Sequence, residues 1–382
     1  MIETISATYL AERIDSGDDF VLVDTRPEDS YEAWHAPGAQ SFPFGPTEQL
    51  DGRREDLESL IGTTPDVVFI CGKGVSSNSL ATQFQAATDA YEISAVDGGM
   101  NDWSGVYHHV PIDFGNDSSL EIVQLQRRAK GCLSYLVADT EAKTAIAFDP
   151  TADVEETILA AGERGLAIEG VVDSHVHADH VSGGRELADR LGVPYYLPER
   201  ASGRGVEHAY EPLEDGQILE LGTHDLRVLH TPGHTSEMIS LVVDGRAVLT
   251  ADTLHADAVG RTELEFGDDD AARGARLLHE SLHETLLALG DDVFVLPGHV
   301  AVETDGAYRY GAPRSAITTT IGEARQSIDT LGLEQEEFVE RIADAGAKPE
   351  NYEEILTINR GADTLDPADR VELEIGPNNC SA

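Results

Sequence analysis

The stretch SHVHADH (174–180) decides how this chain is read, because it places three histidines and an aspartate within seven positions. The run before it, LAIEGVVD (166–173), is mostly aliphatic and β-branched, so a strand is expected to end near Asp173. In a tight loop at a strand end, His175 and His177 can face one point, with Asp179 and His180 reaching the same pocket from beyond. Imidazole and carboxylate lone pairs converging in this way are the donors that a divalent first-row metal takes.

The same device recurs downstream. In LRVLHTPGHTSE (226–237) an apolar strand ends, Pro232 and Gly233 turn the chain, and His234 is presented at the turn. AVLTADTLH (247–255) runs a strand into Asp252, and DVFVLPGHV (292–300) ends in a turn carrying His299. Four separate strand ends therefore offer ligands. Between them, 269–290 reads as a covering helix with Leu278, Leu282 and Leu289 on one stripe. His279 and His283 share a face of that helix with no carboxylate or glycine turn beside them, and are read as surface residues.

The 382 residues suffice for two or three compact units. A formal charge of −45 repels nucleic acid and anionic membranes, which excludes both as partners. Lysine stands only at 73, 130, 143 and 348, and the acid excess is spread along the whole chain. Such a surface suits molar salt, where the Debye length is about 3 Å. A source adapted to high salt and salt-dependent folding are expected. Cysteines 71, 132 and 380 make no disulfide framework, which fits a reducing cytoplasm, and Cys132 is read as a small core residue. No apolar run approaches ~18 residues and the first residues lack a signal-like apolar region, so a cytoplasmic location is expected.

Residues 1–112 read as one α/β unit, with strands FVLVD (20–24) and VVFIC (67–71) and a helix at 76–88, hence a mainly parallel sheet. VLVDTRPEDSYEAWHAPGA (21–39), CGKGVSS (71–77) and VDGGMNDWSG (96–105), in this order, resemble a rhodanese (sulfurtransferase) domain. Cys71 opens a loop between strand and helix, where backbone N–H groups favour a thiolate. The resemblance makes Cys71 a persulfide carrier charged by a donor such as thiosulfate. Ser76 stands where the family's loop usually carries arginine, and Lys73 offers part of the missing charge.

The polar stretch 113–119 reads as a linker, 120–310 as a second unit, and 311–382 as a C-terminal extension packing on it. Paired strands are expected at 130–139 and 143–150, helices at 154–165 and 183–192, and a final surface strand at 365–376. SHVHADH, PGHT, TADT and PGHV, in this order and spacing, resemble the metallo-β-lactamase superfamily, whose fold is an αβ/βα sandwich of two mixed sheets flanked by helices. The resemblance places His175, His177 and His234 around one metal and Asp179, His180 and His299 around a second position. Asp252 reaches either.

All seven positions are filled, which suits a binuclear zinc hydrolase of the glyoxalase II type, with two Zn(II) per chain making hydroxide for thioester or lactone hydrolysis. Three features point instead to the persulfide dioxygenases of the superfamily. The segment TLHADAVGRTELEFG (253–267) is similar to theirs and carries Arg261, although the cysteine they have two residues earlier is absent. The segments 336–359 and 376–380 resemble their short tail, and a sulfurtransferase is chemically apt beside an enzyme that consumes persulfide. That resemblance implies one Fe(II) held by His175, His234 and Asp252, three coordination sites left for a persulfide and O2, and release of sulfite and thiol. His177, Asp179, His180 and His299 would then orient ligands and water, and Arg261 would pair with a substrate carboxylate. The bland alternative for Arg261 is an ion pair within the fold. A third reading, a sulfur carrier with a vestigial metal site, leaves seven intact ligands unexplained. A homodimer would suit the resemblance.

Overall fold

The structure is a computed structural model that describes residues 2–115, 119–343, 351–363, 365–366, 370–371 and 373–374. The first five strands are β1 (Glu3–Ile5), β2 (Val21–Asp24), β3 (Ala39–Ser41), β4 (Asp66–Ile70) and β5 (Glu92–Val96). They order β1-β5-β4-β2-β3 with every pairing parallel. Side chains alternate between the two faces, as strand geometry requires. Leu22, Val68 and Ile70 pack with Leu10 and Ala11 of the helix Ala7–Ser16. Val23, Val67 and Phe69 pack with Leu57 and Leu80 from helices on the other face.

At the end of β2, Asp24 is fully buried, and the Arg26 guanidinium donates to its two oxygens at 2.6–3.1 Å and to the Trp34 carbonyl at 2.6 Å. Arg26→Leu leaves that carboxylate buried without its cation, an expected loss of about 3 kcal/mol or more. Urea unfolding of the two proteins reads this directly, and a difference below about 1 kcal/mol contradicts it.

The next strand, β6 (Tyr107–Pro111), corrects the expected boundary. It lies within the segment assigned to the first unit, yet it pairs antiparallel with β7 (Leu120–Arg127). The stretch read as a linker is therefore the connection of a β-hairpin, with residues 116–118 outside the described residues. Backbone pairing decides this, and a polar connection looks the same in either role.

The sheet continues through β8 (Leu133–Asp139), β9 (Thr144–Phe148), β10 (Ala167–Val172), β11 (Tyr195–Pro198) and β12 (Glu211–Leu213). A third sheet holds β13 (Ile218–Leu221), β14 (His224–His230), β15 (Ile239–Val243), β16 (Ala247–Ala251), β17 (Phe294–Pro297) and β18 (Thr319–Thr320). Both sheets mix parallel and antiparallel pairs. Alternation sorts their residues into layers. Leu133, Tyr135 and Val137 meet Leu241, Val243 and Leu249 between the sheets. Leu136 and Ala138 face helices Val154–Glu163 and Gly184–Leu191, and Val242 and Val248 face the helix Glu263–Glu280. This is the expected sandwich.

Two further expectations are corrected. His279 and His283 are half-buried with rings stacked at 4.1 Å, because Phe338 of the helix Gln335–Ile342 packs on His279. The final surface strand is not formed among the described residues. Residues 370–371 and 373 are helical, and Glu374 is buried against Arg127, because an ion pair draws the chain inward. The segment 376–380, with Cys380, lies outside the described residues. Among the described residues, no helix is long and apolar enough to cross a membrane.

Candidate metal centre

Strand direction brings the ligand-bearing turns together. β14 and β16 each run antiparallel to β15, so they point the same way, and β17 runs parallel to β16. The C-terminal ends of all three thus lie at one edge of their sheet. The end of β10 joins them across the sandwich, where Ile239 N–H donates to the Ser174 carbonyl. Close packing fixes the turns. Ala251 adopts φ 45°, a left-handed conformation that aims the next residue, Asp252, out of the strand. Gly298 packs against it, and a Cβ there would meet Asp252 Oδ1 at 2.6 Å, so the PGHV turn requires glycine.

His175, His234 and Asp252 form one compact donor set, each 1 % exposed. Asp252 Oδ2 lies 3.5 Å from His234 Nε2 and 3.9 Å from His175 Nε2. The outer atom of each residue is tied to the fold. Ser174 donates its hydroxyl to Asp149 Oδ2 and accepts from His175 Nδ1 at 2.9 Å. His234 Nδ1 donates to the Arg261 carbonyl at 2.7 Å, and His299 Nδ1 donates to Asp252 Oδ1 at 2.7 Å. These bonds set both imidazole tautomers with the Nε2 lone pair facing inward. His175 Nε2 and Asp252 Oδ2 are buried with no hydrogen-bond partner among the described residues. Buried polar atoms left this way cost stability unless something binds them, so the set fits a cation.

Electrostatics agree. Burial and the imidazoles of His177 and His234 hold the His175 pKa well below its ordinary value, which keeps its lone pair available. Burial opposes ionisation of Asp252, but His299 and His234 outweigh it and hold the carboxyl far below the usual range. His177, Asp179, His180 and His299 sit beside this set. Asp179 Oδ2 accepts from His180 Nδ1 at 2.8 Å and pairs with His299, whose Nε2 lies 2.8 Å away. His177 lies 3.3 Å from Asp149, which raises its pKa well above the usual imidazole value against the effect of burial. All seven sequence-predicted residues are thus in one buried cluster.

Arg261 is buried and forms an ion pair with Glu263, the bland alternative offered by the sequence. Cys71 lies in the other unit, 3 % exposed, with Sγ 3.2 Å from Ser77 Oγ. Burial would raise its thiol pKa, but hydrogen bonds from Ser76, Ser77 and the Lys73 backbone outweigh burial and lower it. Ser76 is thus part of the thiol's cradle at the position where arginine was missed. Gly99 of VDGGM closes that loop, since a Cβ there would stand 2.1 Å from the Cys71 carbonyl.

Sequence reasoning missed several neighbours. Cys132, read as core, does lie buried, but within 4.8 Å of donor atoms of Asp179, His180 and His299. Burial raises its thiol pKa, and the imidazoles of His299 and His180 bring it down to about 7. His255 is buried with neither ring nitrogen bonded among the described residues. Asp149 follows strand β9, the same strand-end placement that marked the other ligands, and this signal could have found it.

A buried set of imidazoles and carboxylates at the strand ends of a two-sheet sandwich defines a metal-dependent enzyme. The chain belongs to the metallo-β-lactamase superfamily and also carries a rhodanese-like domain. The model "Metallo-beta-lactamase superfamily" matches residues 127–299, and "Rhodanese-like domain" matches residues 6–105. Hydroxyacylglutathione hydrolase GloC of Haemophilus influenzae is 28% identical over 214 residues, covering 51% of this chain and 97% of that one. Persulfide dioxygenase ETHE1, mitochondrial, of Homo sapiens is 28% identical over 189 residues, covering 48% of this chain and 70% of that one. The crystal structure of ETHE1 from Myxococcus xanthus superposes with a TM-score of 0.54 at 27% identity, covering 63% of this chain and 98% of that one.

Proposed function

We propose that the chain is an iron(II)-dependent persulfide dioxygenase coupled to a sulfur-transfer domain. The net reaction is RSSH + O2 + H2O giving RSH + H2SO3, where R is the body of a small thiol. The observation that carries this reading is the compact, buried set formed by His175, His234 and Asp252. His175 Nε2 and Asp252 Oδ2 are buried with no hydrogen-bond partner among the described residues, and Asp252 Oδ2 lies 3.5 Å from His234 Nε2. Two imidazoles and one carboxylate suit a single ferrous ion, which would supply adjacent coordination for persulfide and dioxygen and a path for electrons from the sulfur, which is oxidised, to the dioxygen, which is reduced. The similarity to the ETHE1 proteins, called persulfide dioxygenase by name in Homo sapiens, supports it.

In this reading His175, His234 and Asp252 hold the ion, while Ser174, Asp149 and His299 fix the ligand orientations. Arg261, steadied by Glu263, faces the substrate's carboxylate. Oxygen uptake with a low-molecular-weight persulfide, by protein purified without air, tests the proposal. No uptake by iron-loaded protein contradicts it.

A second reading, a two-zinc hydrolase, is favoured by His180 Nε2, which is buried with no partner among the described residues, and by the similarity to GloC. Two zincs per chain and thioester hydrolysis without oxygen would establish that reading instead.

The rhodanese-like unit is proposed to carry sulfur on Cys71 as a persulfide taken from thiosulfate. Cys71→Ala is expected to abolish cyanolysis of thiosulfate while leaving the iron content unchanged. A variant that keeps the wild-type rate removes Cys71 from the chemistry.

A further inference from the structure

The C-terminal segment meets the histidine loop on the side away from its ligands. Val176 and Ala178, which alternate with the histidines of SHVHADH, pack with Leu356 of the helix Tyr352–Asn359. Asn359, the last residue of that helix, makes three hydrogen bonds to the loop backbone. Its Nδ2 donates to the carbonyls of His177 at 2.9 Å and His180 at 2.8 Å, and its Oδ1 accepts from Ser182 N–H at 2.9 Å. Further along, Glu374 takes the intervening N–H, that of Val181, at 2.6 Å.

Glu374 is itself held from two sides. Arg127 Nη1 donates to its second oxygen at 3.0 Å, and Lys130 donates to its carbonyl. Arg127 Nε also donates to the carbonyl of Ser104, in the rhodanese-like unit, at 2.8 Å. From the loop, geometry passes towards the ion site. Asp179 holds His299 at 2.8 Å, and His299 holds Asp252 Oδ1 at 2.7 Å, which turns Oδ2 towards His175 and His234.

We propose that Asn359 and Glu374 are positioning residues for the metal centre: they fix the backbone of residues 177–182, and so aim Asp252 through Asp179 and His299. The proposal rests on the reading of His175, His234 and Asp252 as metal ligands. A loop held by both residues is preorganised, so releasing it weakens the ion's grip without removing a ligand.

Iron(II) dissociation constants, measured without air by competition with a chelator on the full chain, provide the test. Asn359→Asp keeps the size of the side chain but turns a carboxylate oxygen onto two carbonyls. It is expected to weaken iron binding about 10–100-fold, as removal of an outer hydrogen-bond partner does. Glu374→Gln retains an acceptor for Val181 N–H and is expected to stay within about tenfold of wild type. Leu57→Ala, in the core of the rhodanese-like unit, serves as a control that lowers the unfolding temperature but leaves iron affinity unchanged. Asn359→Asp binding as tightly as wild type overturns the proposal, as does Leu57→Ala weakening binding equally. Wild-type protein that binds no iron overturns both the proposal and the ligand reading beneath it.

Discussion

Asp252→Ala is expected to emerge from air-free purification almost without iron and to consume no oxygen above background with persulfide. Asp252 Oδ2 is the carboxylate atom that faces both His175 and His234, at 3.9 and 3.5 Å. Removing it leaves two neutral imidazoles, too few donors and no negative charge to hold a ferrous ion. The loss should exceed the ~100-fold ceiling for outer-shell partners, so iron falls from about one per chain to under a tenth of that. His299→Ala separates the two readings. With one iron, His299 only orients Asp252, so the variant keeps iron with an affinity about 10–100-fold weaker. With two zincs it is a ligand, and one metal disappears outright. Elemental analysis on wild type and both variants gives the answer. Full iron and full oxygen uptake in Asp252→Ala would end the iron proposal.

The second large effect is that of salt. A chain with 71 acidic and 26 basic residues repels itself in dilute buffer, and many of its cations are already committed. Arg26 and Arg127 are spent on buried partners, and Arg128 and Arg314 both meet Asp15, at 3.5 and 3.4 Å. Little basic surface remains to offset the acids outside. At molar salt the repulsion is screened beyond about 3 Å, while buried pairs such as Arg127–Glu374 are affected much less. The unfolding temperature is therefore expected to rise by roughly 10 °C or more from dilute buffer to about 2 M KCl, a change on the order of 8 kcal/mol for a chain of this length. An ordinary protein relying on exposed ion pairs would gain nothing from that screening. Equal unfolding temperatures in the two buffers would refute salt adaptation.

The candidate metal ligands were legible because each sits where an apolar strand meets a turn, and that signal needs only a dozen neighbouring residues. SHVHADH, PGHT, TADT and PGHV each carry it. The two units were legible for the same reason, through short buried strands alternating with helices. Their boundary was not, because a polar connection reads alike whether it joins domains or closes the hairpin of β6 and β7. Asn359 and Glu374 gave no local sign either. Asn359 acts on a residue 182 positions away, and nothing in TINRGA (357–362) distinguishes it from a surface asparagine. Cys132 looked like a core residue because burial is what its surroundings encode, and an isolated β-bridge between residues far apart in sequence brings His299 beside it.

By itself, then, the amino-acid order determined which side chains are candidates to coordinate an ion and which cysteine opens the rhodanese-like loop, since those depend on residue type and short-range periodicity. Only the folded chain decided how the atoms face. Ser174 with Asp149, the Arg261 carbonyl and His299 turn His175, His234 and Asp252 inward, and an ion pair closes Asp179 on His299. Ligand orientation is set by hydrogen bonds between segments far apart in sequence, and no local pattern records them.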